Sequence, residues 1–461
     1  MNHGPTEHLP AGHSADATRA TRVRWLVFAL ACGASWFLYL HRYTWNFIRP
    51  ELAKEFGFNN TQLESLFSAF NFSYAAGQIP SGIVCDFFGS HVFLALIIGL
   101  WSLALPLFAG AGSVSQFAGA RFAFGLAQAG CYPAISQVTR TWFPRSTRTI
   151  MQGIIVSFFG RSGGAMSSII MGTLLVGLLG LTWRAALVVM SIAGLLFAAA
   201  FWWLYRNRPE TDSRTNQAER DLIRGSGDEE TTEPGPAVLP LGRVLRNRSM
   251  LVFVIHQFLN AGADFIYVSL MGSYFITARH FDVAIAGLLV SLPLWGGALG
   301  GIVGGFVNDG LIYLTANRCW SRRIAGCSGH SLACLCMFVA IQQESGWAVA
   351  AWLFIVKFCT DSTQPTVWGA CTDMGGRYAA TTFSVINTSG NIGQLVTPLL
   401  VGWLLDLYTT RVTVEGTVQT VTNYTPMFVL VAVMYLLSAC CWLFIDCTQS
   451  LDRSEAGATG K

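Results

Sequence analysis

Gly82-Ile-Val-Cys-Asp86 and Gly305-Phe-Val-Asn-Asp309 repeat one Gly-x-x-x-Asp pattern in the two halves of this chain. Each copy follows the second long apolar stretch of its half. A second alignment of the halves places Arg161 opposite Asn391, at equivalent positions within apolar stretches. Two matches in register predict that the chain consists of two related bundles, the arrangement expected around a site at mid-membrane.

Composition determines the class of the protein. Hydrophobic residues make up 52% of the 461 residues and charged residues 12%, against about 25% charged residues in a soluble domain. A membrane-spanning helix needs about 20 apolar residues. The chain supplies twelve such stretches, at about 23–46, 61–85, 91–111, 115–138, 149–179, 183–205, 249–276, 283–307, 322–342, 346–371, 380–404 and 425–446. The sequence therefore predicts an all-α integral membrane protein with 12 transmembrane helices in two pseudo-symmetric six-helix bundles.

A polar interruption separates the two sets of six stretches. It contains the acidic run Asp228-Glu229-Glu230 and a proline-rich segment, so it is expected to be a mostly solvated linker, too short and too polar for an enzyme domain. The predicted organisation is a cytoplasmic N-terminal tail over 1–22, an N-terminal bundle over 23–205, a cytoplasmic linker over 206–248, a C-terminal bundle over 249–446 and a cytoplasmic C-terminal tail over 447–461.

Basic residues set the predicted orientation, because Lys and Arg are retained on the cytoplasmic side of a membrane. Of the 29 Lys and Arg residues, 20 fall in the tails and in the loops on the same side, and five fall in the opposite loops. Both termini are therefore predicted to be cytoplasmic, in a multi-pass protein of the plasma (inner) membrane. The first 20 residues show no signal-peptide pattern. The net charge of +4 reflects this distribution of basic residues and does not indicate nucleic-acid binding.

The twelve cysteines do not indicate a disulfide framework. Ten of them lie in or at the ends of apolar stretches, where cysteine behaves as a small hydrophobic residue. The sequence also lacks a nucleophile paired with a base, a phosphate-binding loop and a cluster of metal ligands in the predicted helices. We therefore expect no cofactor, no metal site and no enzymatic activity.

Four stretches carry a resemblance to a known family. They are Arg121-Phe-Ala-Phe-Gly-Leu-Ala-Gln-Ala-Gly-Cys-Tyr-Pro-Ala134, Thr141-Trp-Phe-Pro-Arg145, Asn207-Arg-Pro-Glu210, and Gly376-Arg-Tyr-Ala-Ala380 together with Asn387-Thr-Ser-Gly-Asn-Ile-Gly393. Over residues 23–448 the chain resembles the major facilitator superfamily, and within it the anion:cation symporters that carry sugar acids and other organic anions. The resemblance implies secondary active transport by alternating access.

Four basic residues, Arg42, Arg121, Arg161 and Lys357, lie inside apolar stretches, where a charge costs at least about 2.5 kcal/mol. They indicate a protein that handles an anion. Arg42 offers a planar fork of donors that matches a carboxylate or a phosphate, and it resembles the arginine with which such families hold the substrate. The alternative is that Arg42 extends to the outer surface and pairs with an acid in a loop.

Arg121 and Gln128 are seven residues apart and share a face of predicted helix 4. In related carriers an arginine like Arg121 takes part in coupling, and the position of Gln128 is commonly a proton-binding glutamate. The acidic residue often found before the helix 1 arginine is also replaced, by His41. His41 could carry the proton instead, since histidine titrates near pH 6.5. The alternative is a neutral histidine that hydrogen-bonds a neighbouring helix.

Arg161 is predicted to lie close to mid-membrane, where either a bound anion or a buried acid would stabilise it. A bound anion there would suit a substrate with two acidic groups. The alternative is a pairing of Arg161 with predicted helix 7 or 10.

Three further charges belong to those two helices. Lys357 and Asp361 are spaced i, i+4 and can pair with each other. Asp264 lacks such a local partner, so it is a candidate to bind a proton or sodium, or to form a salt bridge with Arg161 that the substrate would break.

Polar and aromatic residues complete the predicted cavity. Tyr39 lies one turn from Arg42, and Tyr74 lies on predicted helix 2. Asn387, Asn391 and Gln394 form one stripe of predicted helix 11. The resemblance implies that Tyr74 and the asparagines contact the substrate, although amides also hydrogen-bond between membrane helices.

The sequence favours a proton-coupled symporter of a small organic anion, a sugar acid or another carboxylate, and leaves two alternatives open. One is an exchanger of organophosphate for phosphate, in which Arg161 would complete the phosphate site. The other is a transporter-like sensor that binds the anion without moving it. The expected partners are the anion, a proton or sodium, and membrane lipid. Nothing in the sequence demands an oligomer, so a monomer is expected.

Overall fold

The computed structural model describes residues 19–224, 247–375, 379–414 and 417–447. We name its membrane helices α1 to α12 in chain order. The first six are α1 (Val23–Arg42 and Trp45–Phe56), α2 (Asn60–Phe88), α3 (Ser90–Ala109), α4 (Val114–Gln128 and Cys131–Trp142), α5 (Arg145–Gly153, Ile154–Phe159, Gly160–Ser167 and Ser168–Leu178) and α6 (Trp183–Leu204). The second six are α7 (Arg248–Ala263, Phe265–Ser269, Met271–Ser273 and Tyr274–Ala278), α8 (Val283–Thr315), α9 (Arg318–Ile341), α10 (Gly346–Ser362 and Gln364–Gly375), α11 (Ala379–Leu407) and α12 (Thr425–Phe444).

The predicted helical architecture is confirmed in its essentials. Within the described residues, eight helices are long and apolar enough to cross a membrane, judged by length and composition alone. The remaining four are α2, α4, α10 and α11. They are interrupted or carry polar residues along their length, which lowers their mean hydropathy without ending the helix.

Two helix pairs form the most extensive contacts between the halves α1–α6 and α7–α12. Helix α2 packs against α11, and α5 packs against α8. The second contact is close, because a Cβ on Gly287 of α8 would lie 2.6 Å from the backbone nitrogen of Thr173 in α5. Small residues at such a crossing let membrane helices approach each other. The centre of the molecule therefore lies between helices of both halves.

Helix α1 differs from its prediction. It was expected to end near residue 46, yet after a turn at Tyr43–Thr44 it continues to Phe56. Gly57 then ends it in the left-handed conformation, with φ of 67°. As a result Arg49, expected in a loop, lies buried inside the fold with 2% of its surface exposed.

A β-hairpin connects α11 and α12 and was not predicted. Strand β1 (Thr409–Val414) pairs antiparallel with β2 (Thr417–Thr422), with Thr409 opposite Thr422. Both strands are rich in valine and threonine, which fit extended backbone. We use the hairpin to name the two ends of the molecule: the hairpin side, and the opposite linker side where α1 begins and α6 ends.

The first part of the linker, residues 206–224, is folded, although most of its residues are exposed or half-buried. A short helix, Gln217–Arg224, lies beside the start of α1. Its Glu219 is buried and accepts hydrogen bonds from the backbone nitrogens of Val23 at 3.2 Å and Arg24 at 3.0 Å. A carboxylate at a helix N-terminus satisfies free N–H groups and offsets the helix dipole. The acidic run Asp228-Glu229-Glu230 lies outside the described residues.

Candidate functional site

Arg42 lies in an aromatic box between α1, α2 and α4. Its guanidinium carbon is 4.6 Å from the ring centroid of Tyr74, 4.9 Å from that of Phe70 and 5.2 Å from that of Tyr39. Its Nε donates to Gln128 Oε1 at 3.2 Å. The Nη2 atom is buried and has no hydrogen-bond partner among the described residues. Arg42 is therefore held inside the N-terminal half with a spare donor, and does not extend to the surface.

The Gln128 side chain, like that of Arg42, is held in place by hydrogen bonds. Its Nε2 donates to the backbone oxygen of Leu38 at 3.1 Å, and the side chain has no exposed surface. The amide therefore turns its oxygen to Arg42 and its nitrogen to α1. Where the resemblance implied a titratable glutamate, the structure has a neutral group that orients Arg42.

Arg121 lies next to this box. Its guanidinium carbon is 4.5 Å from the ring centroid of Trp45 and 4.9 Å from that of Phe70. Its Nε and Nη2 atoms are buried without a hydrogen-bond partner among the described residues. One phenyl ring, Phe70, thus contacts two arginines. Two neighbouring cations held by π-faces, with unused donors, form an environment suited to an anion.

The second cluster, which we call the charge quartet, consists of Arg161, Asp264, Lys357 and Asp361. Lys357 Nζ lies 2.6 Å from Asp264 Oδ1 and 2.6 Å from Asp361 Oδ1. Arg161 Nη2 donates to Asp264 Oδ2 at 2.9 Å and to Asp361 Oδ1 at 3.2 Å. Arg161 Nε lies 3.0 Å from Asp361 Oδ2, without the alignment of a hydrogen bond. Two cations and two carboxylates make the quartet electrically neutral.

The quartet spans the interface between the halves. Arg161 belongs to α5, where an eight-residue α-helical segment, Gly160–Ser167, lies between two π-helical segments. Such segments often mark functional sites. The other three members belong to α7 and α10. The Lys357 side chain has 0% of its surface exposed and the Arg161 side chain 18%. The predicted Lys357–Asp361 pair and the predicted contacts of Arg161 with helices 7 and 10 therefore exist together in one network.

A third polar cluster, the hairpin-side clasp, was missed by the sequence analysis. Arg49 of α1 donates from Nε to Glu64 Oε1 of α2 at 2.8 Å and from Nη1 to Ser273 Oγ of α7 at 2.9 Å. Ser269 of α7 donates to Glu64 Oε2 at 2.9 Å. The clasp joins the halves on the hairpin side. Its only signal in the sequence was a pair of opposite charges, Arg49 and Glu64, on either side of a short loop.

Asp406, near the end of α11, adds to this closure. Its Oδ1 accepts from the backbone nitrogen of Asn60 at 2.9 Å, and its Oδ2 accepts from that of Thr61 at 2.9 Å. A side chain of the C-terminal half thus caps the first turn of α2 in the N-terminal half.

His41 is the one predicted site residue that faces away from the others. Its Nε2 donates to the backbone oxygen of Met190 in α6 at 3.0 Å, and its ring packs edge-on against Phe37 at 5.7 Å between centroids. The side chain is fully buried. This placement matches the alternative reading, a histidine that hydrogen-bonds a neighbouring helix, and separates His41 from the Arg42 box.

Two of the three predicted residues of α11 contact α2 across the interface, Asn391 through its side chain and Gln394 through its backbone oxygen. Asn391 Nδ2 donates to Gln78 Oε1 at 3.4 Å, and Asn71 Nδ2 donates to the backbone oxygen of Gln394 at 2.9 Å. The side chains of Asn387 and Gln394 are half-buried. Asn71 and Tyr74 share a face of α2, so this helix connects the α11 stripe with the Arg42 box.

Comparison with known proteins gives relatives over most of the chain. It is 28% identical over 387 residues to the "probable sulfoacetate transporter SauU" of Cupriavidus necator, covering 84% of this chain and 88% of that one. It is 27% identical to the "probable galactarate/D-glucarate transporter GudP" of Bacillus subtilis, covering 85% and 87%. It is 25% identical to the "probable L-galactonate transporter" of Escherichia coli, covering 86% and 86%.

Solved structures and a family model agree with the fold described above. A bacterial homolog to the human lysosomal transporter Spinster superposes with a TM-score of 0.68 at 15% identity, covering 93% of this chain and 95% of that one. The nucleoside transporter NupG superposes with a TM-score of 0.64 at 13% identity, covering 91% and 98%. The family model described as "Major Facilitator Superfamily" matches residues 31–398. The chain therefore belongs to the major facilitator superfamily and is a multi-pass membrane transporter, not an enzyme.

Proposed function

We propose that this transporter carries a small organic anion, a sugar acid or another carboxylate, by alternating access and in symport with a proton. Its relatives are described as carriers of sulfoacetate, of galactarate and D-glucarate, and of L-galactonate, all small organic anions. We place the protein in the plasma (inner) membrane, with the linker side and both termini in the cytoplasm, as the distribution of Lys and Arg favours.

The observation that carries the proposal is the spare donor of Arg42. A buried guanidinium nitrogen without a partner is costly, because a charged donor loses water and gains nothing in return. A carboxylate at this nitrogen would remove that cost. The aromatic rings of Tyr39, Phe70 and Tyr74 exclude competing water, and Gln128 fixes the direction of the fork.

Alternating access requires two sets of contacts to change. The hairpin-side clasp closes one end of the path, so it must open for the anion to enter from that side. The charge quartet must exchange partners as well, because Arg161 and the other three members belong to different halves. Both events are local changes of ion pairing between two rigid bundles.

The proton-binding residue we favour is Asp264, with Asp361 as its neighbour. Both carboxylates share Lys357 and Arg161. When Arg161 moves away with its half, one lysine remains for two buried carboxylates, and uptake of one proton restores neutrality. His41 is a weaker candidate because it faces α6. Arg121 supports coupling by its charge beside Arg42, with which it shares the ring of Phe70.

The test is uptake into proteoliposomes. Labelled sugar acids, other small carboxylates and sugar phosphates are offered under a pH gradient, a sodium gradient or internal phosphate, to the wild type and to Arg42→Ala. Loss of two charged hydrogen bonds corresponds to about 3 kcal/mol, roughly a hundredfold in affinity. Arg184→Gln is the matched control, because Arg184 pairs with Glu55 at 2.8 Å with both side chains substantially exposed.

Carboxylate uptake driven by the pH gradient, lost in Arg42→Ala and kept in Arg184→Gln, is the expected result. Uptake driven by the sodium gradient would identify sodium, and not a proton, as the coupling ion. Uptake that requires internal phosphate would establish an organophosphate exchanger instead, and binding without flux under every gradient would establish a sensor. Equal uptake by the wild type and Arg42→Ala would remove Arg42 from the binding site.

A further inference from the structure

We propose that the transported anion carries two acid groups, and that Arg161 binds the second one in exchange for its carboxylate partners. The inference rests on the proposed function, since it specifies the substrate class of the same transport site. It assigns the first acid group to Arg42 and the second to the charge quartet.

One aromatic ring, that of Tyr39, lies near both the Arg42 box and the segment of α5 that carries Arg161. The guanidinium carbon of Arg42 is 5.2 Å from the ring centroid of Tyr39. A Cβ on Gly160 would lie 3.3 Å from the same ring, and Arg161 is the next residue in the chain. The glycine leaves α5 close against Tyr39. We infer that a ligand extending along Tyr39 from Arg42 reaches α5 beside Arg161.

Arg161 is the member of the quartet that can exchange partners. Lys357 has no exposed surface and lies 2.6 Å from each of the two carboxylates of its own half. The contacts of Arg161 with these carboxylates are longer, at 2.9–3.2 Å, and its side chain is 18% exposed. When the halves separate, Lys357 keeps Asp264 and Asp361, and Arg161 loses both.

An unpaired arginine in this position would be strongly unfavourable, because breaking a buried ion pair leaves a charge with neither water nor partner. A monoacid bound at Arg42 leaves Arg161 without a charged partner when the halves separate. A diacid supplies a partner for each arginine, so the halves can separate with both cations paired. Carboxylate, sulfonate and phosphate all match the guanidinium fork, and the second acid group is therefore defined by its charge more than by its central atom.

The experiment compares acids that differ in one group. Galactarate and galactonate share the same hydroxylated carbon chain, and only galactarate has a carboxylate at both ends; sulfoacetate and acetate form a second, shorter pair. Uptake and competition are measured in proteoliposomes for the wild type, Arg42→Ala and the double variant Arg161→Gln with Asp264→Asn. The double variant removes one cation and one carboxylate, so the remaining Lys357–Asp361 pair stays neutral.

We expect the wild type to take up the diacid of at least one pair with a KM at least tenfold below that of its monoacid. The double variant also lacks the carboxylate that we favour for coupling, so its overall uptake should fall, but its KM values for diacid and monoacid should become nearly equal; Arg42→Ala should lose both acids. Arg161→Lys keeps the charge without the fork and should retain a reduced preference. If the double variant is unstable in detergent, the diacid preference of Arg161→Lys is compared with that of the wild type instead.

Two results would overturn the inference while leaving the proposed function in place. One is a wild type that takes up the monoacids as well as or better than the diacids. The other is a diacid preference that persists without Arg161. Failure of the wild type to take up or bind either member of either pair would instead remove the proposed function, and this inference with it.

Discussion

The Arg42 box and the charge quartet each hold a buried arginine, and they satisfy it in opposite ways. Arg42 is surrounded by aromatic rings and one amide, with a donor left over. Arg161 meets two carboxylates supplied by the other half of the molecule. The first arrangement leaves a buried donor unused, and the second pairs its arginine only while the halves stay together. We therefore expect a ligand at the first site to move the halves more readily if it also provides a partner for Arg161.

The largest effect that tests this comparison is on stability. Lys357→Ala leaves Arg161 alone with two buried carboxylates, so we expect the free energy of unfolding to fall by about 3–5 kcal/mol. Arg42→Gln loses cation–π contacts but also removes the cost of burying a charge without a carboxylate partner; because the two effects offset each other, the free energy of unfolding should change by only about 1 kcal/mol. Thermal and denaturant unfolding in detergent would measure both.

The double variant Lys357→Gln with Asp361→Asn is the control for this prediction. It removes one charge of each sign, so most of the lost stability should return. If Lys357→Ala were as stable as Arg42→Gln, the quartet would not hold the charge balance that we assign to it.

The next effect concerns the aromatic side of the comparison. Phe70 contacts both Arg42 and Arg121 at 4.9 Å, and each cation–π contact in a dry site contributes about 1–2 kcal/mol. Phe70→Leu should therefore raise KM for the anion roughly tenfold. Phe72→Leu on the same helix is the matched control, because that ring is 54% exposed and faces away from the box. Equal uptake by the two variants would show that the ring only fills space.

The sequence predicted the quartet better than the box, for a physical reason. Lys357 and Asp361 are one helical turn apart, and a lone Asp264 opposite a lone Arg161 suggests a pair by charge alone. The aromatic partners of Arg121 come from α1 and α2, and cation–π contacts leave no spacing pattern in a sequence. The same limit applied to His41, because nothing in its own helix indicates that a backbone oxygen of α6 accepts a hydrogen bond from its ring.

Helix ends were the least predictable part of the fold. Arg49 falls in a predicted loop and Glu64 at the start of predicted helix 2, because a buried ion pair at the ends of membrane helices has the composition of a solvated loop. The hairpin after α11 has alternating valine and threonine, but it is too short to stand out against twelve helical stretches. The two halves and their helical spans were predictable because each depends on composition over many residues.

A smaller effect is expected at the hairpin side, where Asp406 links the halves by hydrogen bonds. Asp406→Ala removes two hydrogen bonds from the first turn of α2 and should lower the stability of the closed state by about 1 kcal/mol. The wild type and the variant are compared by the rate at which a thiol reagent labels a cysteine placed at Ser269, which lies in the clasp. Labelling should be faster in the variant. Asp309→Ala serves as the control, because Asp309 is exposed and, within the described part of the chain, contacts only its neighbour Asn308. Equal labelling rates in the two variants would show that Asp406 does not help to close the hairpin side.

The smallest effect separates the two candidate proton carriers. His41→Gln keeps a side-chain donor for the backbone oxygen of Met190, so uptake should keep the same dependence on external pH as the wild type. Asp264→Asn removes a carboxylate that both Lys357 and Arg161 contact, and uptake should lose most of that dependence. The measurement is the initial rate of anion uptake from mildly acidic to mildly alkaline medium for both variants. A flat profile for His41→Gln beside a normal one for Asp264→Asn would move coupling from the quartet to α1. The quartet would then be a structural lock, and the comparison between the two arginines would concern stability alone.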